Sequence, residues 1–167
     1  LALLTIGYIL NFADRTLLSV AQEPLRLELG LSDLQLGLLS GLSFALFYSF
    51  LGIPIARLAE RYNRSFIIVW AITSWSLMTM LCGAATSYAQ LFLFRMGVGI
   101  GEAGGTPPAH SYIADRFDIS GRAKAMAIYC VGVPLGMFLG SIIGGMLVQH
   151  VGWRLTFAAF GDRKSTR

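Results

Sequence analysis

Four ionisable residues lie inside apolar stretches of a sequence in which charge is otherwise scarce. Asp14 and Arg15 are adjacent in the first apolar run, and Arg95 and Glu102 share a later one. A charge at the centre of a bilayer costs roughly 2.5–3.5 kcal/mol on insertion scales, so such residues face a bundle interior or a water-filled cavity. Carboxyl and guanidinium groups placed there carry protons or bind anionic solutes, or they join two helices as a structural ion pair.

The spacing of these residues predicts that they converge. Arg95 and Glu102 are seven residues apart, which is about two helical turns, so they share one helix face and differ in depth by ~10 Å. Asp14 falls between them in depth if its helix runs in the opposite direction. Asp14 and Arg15 point about 100° apart and need different partners. We expect Asp14 and Glu102 to exchange a coupling proton, while Arg15 or Arg95 binds an anionic group or stabilises the deprotonated carboxylate.

The composition predicts the medium in which these charges lie. Hydrophobic residues make up 55% of the 167-residue chain and charged residues only 13%, against roughly 25% charged in soluble domains. This deficit predicts a chain embedded in a lipid bilayer. The net charge of +4 is small and scattered, so nucleic acid is not an expected partner. The two cysteines lie in apolar runs and the two histidines are far apart, so neither a metal nor another cofactor is expected.

Apolar segments recur at the length of roughly 20 residues that a helix needs to cross a bilayer core. They predict an all-α membrane protein with complete spans at residues 1–21, 34–56, 66–85, 88–113 and 123–148, and a sixth beginning near residue 153. The first residue, Leu1, already lies inside an apolar run. We interpret residues 1–161 as part of an N-terminal transmembrane bundle, and residues 162–167 as a non-native tail.

The basic connections predict how the helices are oriented. Lys and Arg favour the cytoplasmic side, and two connections carry three of them each: residues 57–64 and residues 115–124. We therefore expect the N-terminus in the cytoplasm and every helix to cross the membrane. The Trp153-Arg154 pair then lies at the outer surface, where it is expected to act as an interfacial anchor.

Two sets of glycines recur at every fourth residue and predict faces for close helix packing. They are Gly97, Gly101 and Gly105 in the fourth span, and Gly132, Gly136, Gly140 and Gly144 in the fifth. Pro134 interrupts the second set and predicts a kink. The first set overlaps a G-x-G-x-x-G spacing typical of dinucleotide loops. Pro107 and Pro108 fall where the helix of such a loop would run, so the packing interpretation is favoured.

Several motifs together resemble one family. ARLAERYNRS, between the second and third spans, is similar to the signature G-x-L-A-D-R-x-G-R-R of the major facilitator superfamily, with Ala56, Glu60, Asn63 and Ser65 as departures. LFLFRMGVGIGEAG resembles the superfamily pattern R-x-x-x-G-x-G. NFADR, GLSDLQLGLLSGLSFALFY and RMGVGIGEAGGTPPAHSYIADRF resemble the bacterial Spinster-like branch. The resemblance implies the N-terminal half of a transporter, with proton-linked transport involving Asp14, Arg15 and Glu102. It also implies a cytoplasmic gate formed by Glu60, Arg61 and Arg64.

The sequence therefore favours the N-terminal part of a secondary active transporter in a bacterial inner membrane. Such a protein moves a small organic or amphipathic solute by alternating access, coupled to protons, and needs the C-terminal half of the same chain to do so. One alternative is an organic-anion/proton symporter of the related anion/cation symporter branch. A non-transporting membrane receptor or scaffold is an alternative of another class. An enzyme is not expected, because no nucleophile, base and acid converge.

Overall fold

The computed structural model describes residues 1–42, 48–50, 54, 57 and 64–162, and the regular structure in this part is helical. The helices are α1 (Ala2–Val20), α2 (Gln22–Leu29), α3 (Asp33–Gly37) with a π-helical turn (Leu38–Leu42), α4 (Arg64–Gly83), α5 (Tyr88–Ala103), α6 (Thr106–Arg116), α7 (Ile119–Cys130), α8 (Gly132–Val151) and α9 (Trp153–Gly161). The predicted all-α fold class is confirmed. Of the 23 residues in the predicted span 34–56, ten lie outside the described residues.

Two described segments have the length and apolar character of a membrane span. They are Phe66–Gly83, with a mean hydropathy of 1.7, and Ile119–Val151, with a mean hydropathy of 2.0. By length and composition alone two such segments are weak evidence for a membrane protein, because buried core helices can share both properties. Helix α1 also has spanning length at 19 residues, although it contains Asp14 and Arg15.

Prolines break two of the predicted spans. The single helix predicted over residues 88–113 is two helices, α5 and α6, which meet at Gly104 and Gly105. Pro107 and Pro108 have no N–H and cannot continue the hydrogen-bond ladder of α5, but at the start of a helix they leave fewer unsatisfied donors in the apolar interior. The predicted span 123–148 is interrupted only at Val131, between α7 and α8. Pro134 cannot donate to the carbonyl four residues earlier, which explains that break.

The glycines of α8 allow it to lie directly on α1. A Cβ added at Gly136 would lie 2.7 Å from the Cβ of Phe12, and one added at Gly140 would lie 2.8 Å from the Cα of Ala13. Real Cβ atoms do not approach that closely, so the two backbones meet only because side chains are missing there.

The glycines of α5 likewise allow it to lie directly on α4. A Cβ added at Gly101 would lie 2.7 Å from the backbone nitrogen of Trp75, and one at Gly97 would meet the Met78 side chain. On another side of α4, Gly161 of α9 allows a similarly close approach to Met80. Helix α4 therefore fixes the relative positions of α5 and α9, and a buried core that includes Leu17, Leu91, Val98 and Phe157 lies among the helices.

Candidate functional site

The central feature of the site is an ion pair between α1 and α5. The Nε of Arg15 donates a hydrogen bond to Oε2 of Glu102 over 2.6 Å. The Glu102 side chain is completely buried, whereas that of Arg15 is 28% exposed. The Arg15 guanidinium also lies 4.8 Å from the ring centre of Phe12 and 5.3 Å from that of Tyr48. Arg15 therefore connects an exposed face of the helices to a carboxylate in the interior.

Asp14 and Arg95 are also buried, at 1% and 2% exposure. Within the described residues, Nε and Nη1 of Arg95 are buried and donate no hydrogen bond. The structure thus buries three of the four predicted residues and pairs the partly exposed fourth, Arg15, with Glu102.

Three further residues beside Glu102 carry polar atoms and were not predicted. Asn11 is 5% exposed, and the rings of Tyr8 and Tyr129 stack with their centres 4.2 Å apart. All three line a cavity of about 40 Å³ that Glu102 also lines. Asn11 lies one helical turn from Arg15 in the sequence, so a polar residue in an apolar run was the signal available for it. Nothing local marks the two tyrosines.

A second polar cluster lies where α2, α4 and α9 meet. Glu28 accepts hydrogen bonds from Nε1 of Trp153, at 2.5 Å, and from Nε of Arg154, at 2.9 Å. Nη1 of Arg154 donates to the carbonyls of Gly83 and Ala85. We call Glu28, Trp153 and Arg154 the outer clamp. The hydrogen bonds from Trp153 and Arg154 hold the pKa of Glu28 below its usual value, because they favour the charged carboxylate.

The structure describes no side-chain contacts for the predicted gate residues. Glu60 and Arg61 lie outside the described residues, and Arg64 begins α4 without a described side chain. As for metals, no group of three or more His, Cys, Asp or Glu side chains suited to hold an ion occurs among the described residues.

Comparison with known proteins identifies the family. The model of the Major Facilitator Superfamily matches residues 4–161. The chain belongs to the major facilitator superfamily. An MFS-type efflux pump of Mycolicibacterium smegmatis is 41% identical over 152 residues, which cover 91% of this chain and 35% of the pump. The probable L-galactonate transporter of Escherichia coli is 31% identical over 95% of this chain and 35% of its own length. Protein spinster homolog 1 of Xenopus laevis is 32% identical over 86% of the chain and 28% of its own length.

Solved structures agree with the superfamily assignment. The chain superposes with a TM-score of 0.83 on a bacterial homologue of the human lysosomal transporter Spinster, in an inward-facing and occupied conformation. A structure of such a homologue in an unoccupied conformation gives a TM-score of 0.84. Both are 44% identical to this chain and cover 95% of it, while the chain covers 40% and 39% of theirs. The predicted resemblance to Spinster-like proteins is confirmed, and the chain spans about a third of the length of its curated relatives.

Proposed function

We propose that the full-length protein containing this chain is a proton-coupled secondary transporter of a small organic or amphipathic solute. The observation that carries the proposal is the Arg15–Glu102 ion pair, with one partner accessible and the other fully buried. Superfamily membership supports the transporter class. Alternating access of a site between this bundle and a C-terminal half follows the usual plan of such proteins.

The ion pair couples proton and solute through competition for one guanidinium. While Glu102 is ionised, Arg15 neutralises it and is held against it. When a proton binds Glu102, the attraction is lost and Arg15 becomes available to an anionic group of a solute at its exposed side. Release of the solute returns Arg15 to Glu102 and favours release of the proton.

Asp14 and Arg95 complete the proposed machinery. Asp14 exchanges the coupling proton together with Glu102, and Arg95 stabilises the deprotonated carboxylate, because it lies on the same face of α5 two turns away. The Glu60, Arg61 and Arg64 loop acts as the cytoplasmic gate. The N-terminus is cytoplasmic and the protein lies in a bacterial inner membrane, in line with the basic connections.

An organic-anion/proton symporter is the second candidate. Its support is the exposure of the Arg15 guanidinium, which suits a carboxylate or phosphate, and the similarity to a probable L-galactonate transporter and to probable anion transporters of Arabidopsis thaliana.

The test uses the full-length protein in proteoliposomes that enclose a pH-sensitive dye. L-galactonate and sphingosine serve as probe solutes, because the chain is similar to a probable L-galactonate transporter and to a probable sphingolipid transporter. We expect a probe to drive a proton flux in the wild-type protein, and Glu102→Gln to abolish that flux. Glu23→Gln, a matched change at an exposed glutamate, should leave it intact. A flux that survives Glu102→Gln contradicts the proposal, and proton-independent movement of the probe by the wild type contradicts the coupling. Flux with L-galactonate alone favours the symporter.

A further inference from the structure

The cavity beside Glu102 is lined by residues from five helices. We call it the inner chamber and define it by Tyr8, Asn11, Trp75, Glu102, Thr106 and Tyr129. Its volume of about 40 Å³ is enough for at least one water molecule, which needs roughly 10–15 Å³ measured in this way.

Two buried oxygens of the inner chamber accept no hydrogen bond of normal geometry in the described part of the chain, although the Asn11 side chain lies beside the Glu102 carboxylate. They are Oε1 of Glu102 and Oδ1 of Asn11. A buried acceptor without a donor costs about 1–3 kcal/mol, and water is the usual donor where polar groups meet in a cavity of this size. One water has two O–H groups, one for each of these acceptors.

The two oxygens of the Glu102 carboxylate therefore have different neighbours. Oε2 accepts from Arg15, whose side chain is partly exposed. Oε1 accepts no hydrogen bond of normal geometry from the described residues and belongs to a residue that lines the inner chamber. A proton that binds Oε1 reaches the carboxylate without passing the Arg15 guanidinium.

The inner chamber extends toward one end of the helices. Leu3 and Leu4, at the start of α1, also line it. The chamber residue Tyr129 is in edge-to-face contact with His110, at 5.5 Å between ring centres, and His110 is exposed. The predicted orientation makes this end cytoplasmic.

We propose that the inner chamber is hydrated and delivers protons to Oε1 of Glu102 from the end of the bundle at which α1 begins. A hydronium ion in the chamber transfers its proton to Oε1, which forms the carboxylic acid and leaves a neutral water; the reverse transfer unloads it. Arg15 from α1 and Arg95 from α5 are the cations that act on Glu102, and Tyr8, Tyr129 and His110 lie along the route. This inference rests on the proposed function.

Two substitutions are designed to reduce the hydration of the inner chamber while leaving Arg15 and Glu102 unchanged. Gly7 lines the chamber, and a Cβ added there meets nothing within 4 Å, so Gly7→Leu should fill open space. Thr106→Val removes a chamber hydroxyl at constant shape. The matched controls are Gly121→Leu, at another glycine with open space, and Thr73→Val, at an exposed threonine bonded to its own helix.

The readout is infrared difference spectroscopy of the reconstituted full-length protein. The carboxylic-acid band of Glu102 is identified as the band that is absent in Glu102→Gln. The rate at which this acid exchanges its proton for deuterium on transfer to D₂O reports the access of water to Glu102. We expect Gly7→Leu and Thr106→Val to slow this exchange by about tenfold or more, with a parallel slowing of the probe-driven proton flux, while both controls behave as wild type.

Exchange at the wild-type rate in both chamber variants would overturn the inference, as would the absence of any band that Glu102→Gln removes. If Gly7→Leu fails to fold, Thr106→Val alone decides. Failure of the proposed function has a different signature, since the proton flux would then survive Glu102→Gln whatever the chamber variants do.

Discussion

Among the ion pairs of the described residues, two join an arginine of one helix to a glutamate of another in opposite surroundings. Arg15 and Glu102 meet at 2.6 Å inside the bundle, with the carboxylate fully buried. Arg154 and Glu28 meet at 2.8 Å in the outer clamp, with side chains 36% and 47% exposed. Both pairs join helices that are far apart in sequence. Only in the Arg15–Glu102 pair would the loss of one partner leave an unpaired charge completely buried.

The two pairs differ most in how completely their polar atoms are satisfied. In the outer clamp both Glu28 oxygens accept hydrogen bonds, and Arg154 also reaches two backbone carbonyls. In the interior, Oε1 of Glu102 and two Arg95 nitrogens make no hydrogen bond of normal geometry with the described residues. A fully satisfied cluster fixes one arrangement. An incompletely satisfied one changes its energy with each proton or solute that binds, as a transport site requires.

The largest expected effect comes from breaking the interior pair. Arg15→Ala leaves the Glu102 carboxylate buried without its cation, and the loss of one partner from a buried pair costs about 3–5 kcal/mol. We expect a large fall in the thermal unfolding temperature of the full-length protein in detergent, and loss of the probe-driven proton flux. The double variant Arg15→Ala/Glu102→Gln should recover part of the stability but no flux. A double variant no more stable than Arg15→Ala would contradict the pairing.

Breaking the outer clamp should lower stability without removing coupling. Arg154→Ala removes the charged group that joins α2, α4 and α9, and hydrogen bonds to charged groups contribute about 1.5–3 kcal/mol each before solvent exposure reduces them. We expect a fall in unfolding temperature smaller than that of Arg15→Ala, with the proton flux still present. Arg154→Lys should restore little, because an ammonium cannot reproduce the forked geometry. Loss of flux at wild-type stability would show that the clamp takes part in coupling.

A smaller effect is expected from the indole of the clamp. Trp153→Phe keeps an aromatic ring against Phe157 but removes the Nε1 donor to Glu28, a change of about 1 kcal/mol. Thermal unfolding should detect this loss of stability. Glu28→Gln should lower the stability of the Trp153→Phe variant by less than it lowers that of the wild type. If the two single substitutions lower stability by amounts that simply add in the double variant, the Trp153–Glu28 hydrogen bond contributes nothing to stability.

The smallest expected effect is the pH dependence of the clamp. The folded-state pKa of Glu28 is lowered by Trp153 and Arg154, so the stability that the clamp adds is present above the ordinary glutamate pKa of about 4.3. It is lost as the pH falls through the lowered folded value. Unfolding temperatures of wild type and Glu28→Gln, measured against pH, should converge at the acid end. A constant difference at all pH values would exclude this linkage.

The comparison of the two pairs also separates what the sequence predicts from what it does not. The cost of charge in lipid predicts that Asp14, Arg95 and Glu102 are buried, and the four-residue glycine period predicts the contact face of α8. Neither predicts that Arg15 is the partner of Glu102, because spacing along a helix gives relative angles but not the rotation of that helix against its neighbour. The outer clamp could not be predicted from the sequence for a similar reason, since Glu28 and Arg154 are 126 residues apart.

The helical class, the family and the set of buried charges could be predicted from the sequence, because apolar length, glycine period and motif are all local properties of the chain. The positions of the helices were needed to show which charges meet, where Pro107 and Pro108 divide a span, and that one oxygen of Glu102 lies beside a small cavity without a hydrogen bond of normal geometry from the described residues. These features depend on how separate helices are positioned against one another, and that is fixed by packing summed over the whole bundle and by no single segment.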